Sequence, residues 1–579
     1  MENKTPKFDT ILDKMLECLV PHYRVCKWSG LHQYCEGEFN ITKEDIEFLK
    51  ILRAPAPNYC PTCRRMNRHA FVNNINLYKR VNSAPGKNNN TISFVPPVSK
   101  FIVYDLESYK NNFDPYLYGT FYDESKSFID QFYDLRLKVP QPAIIRDPSN
   151  INSEYSINGR DLKNGYYVSG GWRSENVWYS NLVTDSRNVM DIYASHFIEN
   201  SYELTSCEKC YNCQYSYFSD NCINSMFMYD CNNCQDCFGC VNLRNKSNCI
   251  FNNQYSKEEY KESILKINLN SKKVLSDLND KFWKFVKTQP VRAERHESVN
   301  NVSGVNISNS RNCHDVIDCV NTEHVLHCDQ IVGHRDSMDA SVTGGSERLY
   351  NTIAVGSKSS NVKFSFASKF ITESEFVINC RNVNNCFACI GLENKNYCIF
   401  NRQYEKDEYY KELDKIKTNL LINGEYGDFL PFKFSTFAYN GSLADISFPI
   451  DKEGIEKVSA IWQPETETNA IGMEMIEPEN IPDTIEEVSD DILQKALICE
   501  KTRRPFRIIE SELEFYKIHN IPLPRVHQIK RIKDRYKYVG NLKAYSNNCE
   551  LCSKKINTFY IKEDGWKLYC DECYKREVL

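Results

Sequence analysis

Asparagine recurs every twelve residues from Asn152. Asn164, Asn176, Asn188, Asn200, Asn212 and Asn224 keep step, Asp236 stands in once, and Asn248 returns. Small residues flank the step: Ser174 and Val177 about Asn176, Ser186 and Val189 about Asn188, Cys210 and Cys213 about Asn212. A fixed period constrains a fold strongly, because each repeat must bury its face on the next. Twelve residues suit one short strand and one tight turn. Asparagine tolerates the left-handed backbone of such a turn and bonds its own backbone. The pattern predicts a mainly β chain: a parallel β-solenoid (β-helix) in two halves with capping helices, flanked by treble-clef or zinc-ribbon modules at both ends. Coils of one or of two such units both satisfy the period.

The second half keeps the step at Asn300, Asn312, His324, Asp336 and Arg348, then slips by one to Asn361, Glu373 and Asn385. Both halves end alike. Cys237, Cys240, Cys249, Tyr255 and Tyr260 match Cys386, Cys389, Cys398, Tyr404 and Tyr409 at a shift of 149. A charged helix follows each ending and is expected to fold back and close the solenoid.

The chain has 26 cysteines in 579 residues. Met1 to Val20 carries charges throughout, so it reads as an amphipathic helix and not a signal peptide. No apolar run reaches the roughly 18 residues a membrane helix needs. The cysteines then point to zinc and buried thiols in a reducing, intracellular compartment, the cytoplasm. Cys207, Cys210 and Cys213, then Cys231, Cys234, Cys237 and Cys240, are spaced like metal knuckles, but Cys210, Cys213, Cys222, Cys234 and Cys237 fall where other repeats hold Ser, Val or Ile. They read as small buried residues, with a further zinc or iron–sulfur site as the alternative.

Two zinc sites are expected. Zinc takes four N or S ligands in a tetrahedron, and a Cys-x-x-Cys turn offers two. The N-terminal set is His32, Cys35, Cys60 and Cys63, with Cys26 as the alternative to His32. The C-terminal set is Cys549, Cys552, Cys570 and Cys573. A shift of 467 lays one module on the other without a gap: Phe39 on Phe506, Arg64 on Arg531, Arg68 on Arg535, Asn74 on Asn541 and Tyr78 on Tyr545. In that register His32 meets Cys499, which favours His32 as ligand. Each end is thus a tandem of two ribbons that keeps one zinc. Metal binding supplies folding energy to units this small.

The expected order is a ribbon module over 1–106, a helical cap over 107–150 lying on the first coil, solenoid halves over 151–255 and 299–404 with a helical connector at 256–298, a helix and aromatic segment over 405–462, an acidic linker over 463–492, and the second ribbon module over 493–579.

Taken together the chain resembles an uncharacterised family of zinc-ribbon plus β-solenoid proteins of candidate-phylum bacteria and giant DNA viruses. The residues that carry the resemblance are Cys60 to Arg65, Leu77 to Arg80, Cys237 to Arg244, Asn253 to Tyr260, Ile498 to Glu500, Pro505 to Ile509, Glu512 to Tyr516 and Cys570 to Cys573. The family pattern has cysteines in its second N-terminal ribbon that this chain lacks. The resemblance implies the same architecture and, if viral, association with the virion.

Net charge is −5 and the pI is near 6.2, which excludes a generally basic nucleic-acid coat. No phosphate loop, nucleophile elbow or HExxH motif is present. The first reading is a non-enzymatic scaffold whose ribbons dock a protein or ribonucleoprotein partner. The alternative is RNA or ribosome binding through basic strips at the ends, Arg64, Arg65 and Arg68 at one and Arg503, Arg504, Arg531 and Arg535 at the other. A weaker one is an enzyme acting on a polymer along the solenoid face, with His314, His324, Asp336 and Asp339 as one possible cluster.

Overall fold

The computed structural model describes residues 4–73, 76–111, 113–464, 470 and 472–579. Asn74, used in matching the two modules, and Glu465 to Asn469 of the acidic segment lie outside the described residues. The chain is mainly β, with a cysteine cluster near each end. It divides into two compact units. One comprises Met1–Ile144, Glu294–Gln463 and Leu542–Ala544; the other Ile145–Ala293, Pro464–Asn541 and Tyr545–Leu579. Each unit therefore joins one half of the repeat to the ribbon module from the opposite end of the chain.

In the second unit the repeat forms a parallel ladder of short strands. Lys163 pairs with Glu175, Glu175 with Arg187 and Arg187 with Glu199, a constant offset of twelve. A finer period lies inside the twelve. Asn176, Tyr179, Leu182, Asp185 and Asn188 all have φ between 49° and 56°. Every third residue is left-handed, so each twelve-residue repeat has four corners. The residue after each corner points inward: Val177, Ser180, Val183, Ser186 and Val189 are fully buried. Sides this short suit mostly small interior residues, and the pattern explains the recurrent serine, valine and cysteine.

Polar interior groups find partners along the ladder. Ser180 Oγ accepts from the Ile192 amide at 3.1 Å, and Ser186 Oγ from that of Ile198 at 3.3 Å. Thiols donate instead: Cys207 to the Ser216 carbonyl at 3.2 Å and Cys240 to that of Cys249 at 3.5 Å. At one corner the asparagine amides stack, Asn164 on Asn176 at 2.9 Å and Asn176 on Asn188 at 2.7 Å.

The first unit carries the second ladder, also largely at an offset of twelve. Between Glu347 and Ser360 the offset becomes thirteen. The extra residue sits at two consecutive left-handed positions, Ser357 and Lys358. That is the slip legible in the sequence. Both ladders end in the same device. After its last full repeat the chain turns into a two-residue antiparallel strand. Asn401 Oδ1 accepts from the Ile390 amide at 2.8 Å, and its Nδ2 donates to the Ile390 carbonyl at 2.9 Å. Asn252 does the same for Val241 at 2.9 Å both ways. A side-chain amide thus replaces the peptide group of the missing next repeat.

Helix Lys272–Thr288 lies on the ladder of its own unit, Phe282 meeting Phe227 at 5.6 Å. Helix Phe128–Lys138, expected over the first coil, lies on the end of the second ladder. Phe128 meets Phe376, Phe387 and Phe400 at 5.1, 5.6 and 5.7 Å. The acidic segment is not a free linker either. Glu477 pairs with Arg503 and Asp490 with Lys517 of the C-terminal module.

Candidate metal centres and the basic helices beside them

In the N-terminal module, strands His22–Val25 and Glu38–Ile41 pair antiparallel and leave Cys26 and Cys35 in the connecting knuckle. Cys60 caps helix Pro61–His69, and Cys63 follows one turn later. The sulfurs of Cys26, Cys35, Cys60 and Cys63 all lie within 4.8 Å of one another. The Cys60 amide donates to Cys26 Sγ at 3.3 Å and the Cys63 amide to Cys60 Sγ at 3.4 Å. Such N–H groups favour thiolates. Hydrogen bonds from Cys60 and Cys63 draw the Cys26 thiol far below its usual range.

The fourth member is Cys26, the alternative, and not His32. The reason is a loop length. The Cys26 amide donates to the Gly37 carbonyl and the Cys499 amide to that of Arg504. Gly37 and Arg504 match at the shift of 467, so Cys26 is the counterpart of Cys499. The N-terminal knuckle spans 37 − 26 = 11 residues and the C-terminal one 504 − 499 = 5, so a gapless register is wrong by six at this point. His32 falls in the extra six. Its Nε2 sits 3.4 Å from Cys63 Sγ, and burial lowers its pKa.

At the other end Cys549, Cys552, Cys570 and Cys573 form the same kind of cluster. Cys552 Sγ and Cys570 Sγ are 3.7 Å apart. A zinc tetrahedron with Zn–S bonds of roughly 2.3 Å has an edge of about 3.8 Å. Burial opposes ionisation of Cys549, but backbone donors at Cys570 and Cys552 bring its thiol to about 6. Both donor sets fit a tetrahedral, thiophilic cation. Four thiolates close the coordination shell, so such an ion would hold structure and leave no open position for a substrate. None of the ladder thiols joins a metal-type cluster among the described residues.

The two cysteine-poor ribbons keep their hairpins: Tyr78–Val81 pairs with Asn90–Ser93, and Lys495–Ile498 with Pro505–Phe506. Asn82 and Asp105 stand where the last ribbon has Cys549 and Cys570, and they hydrogen-bond to each other. Asp105 also accepts from the Ser108 amide at 2.7 Å. In the first C-terminal ribbon the corresponding places hold Cys499, Thr502, His527 and Lys530.

Five of the seven residues expected to meet nucleic acid are turned inward. Arg64 and Arg68 are 3% and 0% exposed. Arg64 Nε lies 2.7 Å from Asp339 Oδ2 and Arg68 Nη1 2.8 Å from Asp339 Oδ1. Arg65 is buried and faces Asp315 and Asp329 at 3.4 Å each. His69 Nε2 bonds Asp329 at 2.8 Å. In the other unit Arg531 and Arg535 reach Asp191 at 2.9 and 2.6 Å. Arg64, Arg65, Arg68, Arg531 and Arg535 are therefore internal clamps between each module and its ladder, while Arg504 is only half-buried. Arg503 alone of the named seven is largely exposed, paired with Glu477. Of the proposed face cluster, His324 bonds Asp336 at 2.8 Å, while Asp339 is buried beneath the arginines and His314 faces Glu44.

The duplication extends to the supporting contacts. Tyr179 donates to Glu512 at 2.8 Å, and His327 meets Asp45 at 3.1 Å. Glu512 and Asp45 match at the shift of 467. Tyr179 and His327 are spaced from Asp191 and Asp339 by the same twelve residues.

No family model and no curated protein matches the chain. Among solved structures, a protein of Desulfovibrio desulfuricans G20 provisionally named an acetyltransferase is similar at 10% identity over 45% of this chain and 68% of that one, with a TM-score of 0.09. A likeness that low carries no argument.

Proposed function

We propose that the chain is a non-enzymatic, zinc-binding scaffold built from two β-solenoids of twelve-residue coils, each clamped by a zinc-ribbon module. The observation that carries this reading is the repeated use of one aspartate by two arginines, Asp339 by Arg64 and Arg68, and Asp191 by Arg531 and Arg535. Each ribbon helix is committed to its ladder; the N-terminal cysteine cluster sets the shape of the ribbon that carries helix Pro61–His69, while at the other end helix Gln528–Arg535 sits in the cysteine-poor ribbon that precedes the Cys549–Cys573 cluster. Solenoids offer long surfaces with little motion, which suits a platform for a protein or ribonucleoprotein partner in the cytoplasm or a virion. Closed four-thiol shells and the absence of a recognised catalytic motif favour a structural role over an enzymatic one. RNA binding through the basic helices is disfavoured, because those side chains have counter-charges already.

The test is co-purification of the native protein from its own cells or particles, with and without nuclease. A discrete protein partner that survives nuclease is expected. Recovery of RNA alone, lost on nuclease treatment, would overturn the scaffold reading.

A further inference from the structure

In the second unit a cavity of about 580 Å³ opens between the ladder face, helix Lys272–Thr288 and the C-terminal module. That is within the range of small-molecule sites. Tyr202, Tyr215 and Tyr538 supply aromatic wall, and Glu203 and Lys272 line the same space.

Two features separate this cavity from an ordinary crevice. Glu203 is half-buried at a left-handed corner with φ of 50°, and its carboxylate has no hydrogen-bond or ion-pair partner among the described residues. Half-buried Lys272 likewise has no partner for its ammonium. Other charges near them are paired: Arg531 and Arg535 with Asp191, Asp534 with Lys530 and Lys537. Asp277, Asp280 and Lys273 sit exposed at the rim. A lone anion and a lone cation thus share one enclosure without meeting. Burial accordingly lifts the Glu203 carboxyl above its usual range, while Lys272 pulls it down.

The other half of the duplication supplies the control. Matching Asp191 to Asp339 places Glu203 on Asn351, a corner with φ of 53° that is buried. Beyond the one-residue slip Tyr215 falls on Phe364, which is fully buried and stacks on Phe376 at 4.8 Å. Tyr215 itself stacks on Phe227 at 4.8 Å, so the ring packing is shared; what differs is that one copy holds a buried, uncharged asparagine where the other holds a carboxylate facing a cavity. An unpaired charge half-removed from water costs more than a neutral amide, so a carboxylate at this corner in place of asparagine points to a ligand.

We infer that this cavity binds a free amino acid, with the ligand ammonium at Glu203, its carboxylate at Lys272 and its side chain against the tyrosine wall. A simple anion would face Glu203, and a simple cation would face Lys272 with the arginines behind it. A zwitterion meets both charges.

The experiment is calorimetric titration of the full-length protein with each standard amino acid, with acetate and a short alkylamine as single-charge controls. One or more amino acids are expected to bind one per chain at roughly millimolar affinity or better. Glu203→Gln and Lys272→Met should each weaken binding by about tenfold or more, with the melting profile unchanged. Lys272 lies toward the rim, so K272M keeps the test open if E203Q destabilises the unit. No binding by any amino acid up to about ten times that concentration, equal binding by the single-charge controls, or unchanged affinity in both variants would overturn the inference.

Discussion

Arg535 donates to Asp191 at 2.6 Å, 344 residues back along the chain and beneath the surface of the second unit. Arg68 and Asp339 repeat the contact at 2.8 Å in the first unit. Both pairs join a ribbon helix to a ladder corner, and both aspartates serve a second arginine. Buried pairs add little net stability over an apolar substitute, but breaking one strands a charge.

Asp191→Ala should therefore cost about 3–5 kcal/mol in the second unit, since it strips buried Arg535 of its 2.6 Å carboxylate and leaves Arg531 only Glu512 at 3.7 Å. Asp339→Ala should do the same in the first. Urea titration followed by proteolysis of each unit separates the two transitions. Replacement of exposed Arg503 by Ala should change stability by under about 1 kcal/mol.

His327 gives the first unit a pH dependence. Burial lowers its affinity for a proton, but hydrogen bonds to Asp315 and Asp45 outweigh that and raise its pKa to about 9. The folded value lies above the unfolded value of about 6.5. The stabilisation is fully present below about pH 6.5 and is lost as pH rises through about 9, a change of roughly 3 kcal/mol. Thermal melts between pH 6 and 10 should show the first unit losing stability, and His327→Gln should flatten the slope.

Much of this fold was legible in the sequence. The twelve-residue step was visible because stacking amides select asparagine at one corner in four. The threefold period inside it was not, since Tyr179, Leu182, Glu203 and Phe218 take left-handed corners that propensity disfavours. A signal did exist in the inward series Ser174, Val177, Ser180, Val183, Ser186 and Val189. The cysteine clusters followed from spacing, apart from the choice of Cys26 over His32, which a six-residue loop insertion reversed. The arginines were misread because their partners, Asp339 and Asp191, are hundreds of residues away. A basic helix after a Cys-x-x-Cys turn carries no local mark of being buried.

The asparagine end-caps should matter unequally. Asn401 is fully buried, and without its side chain the Ile390 amide and carbonyl lose their partners. Asn401→Ala is expected to cost about 2–3 kcal/mol. Asn252 is partly exposed, so water can replace it, and Asn252→Ala should cost about 1 kcal/mol. Hydrogen exchange at Ile390 and Val241 would report each loss locally.

The ladder thiols should behave as small interior residues. Cys231 donates to the Cys240 carbonyl at 3.5 Å, a role serine can share. Cys231→Ser should cost about 1 kcal/mol, whereas Cys231→Phe should overpack the interior by 3 kcal/mol or more, at the upper end of about 1–3 kcal/mol for smaller insertions. Denaturant midpoints of the second unit would rank them.

The most direct measurement is the metal content of the purified chain by elemental analysis, with single-cluster variants alongside. Two zinc ions per chain are expected, one lost in Cys26→Ser and one in Cys573→Ser, with His32→Ala and Cys231→Ser retaining both. A chain that folds with no zinc, loses zinc in H32A but not C26S, or loses metal in C231S would contradict it.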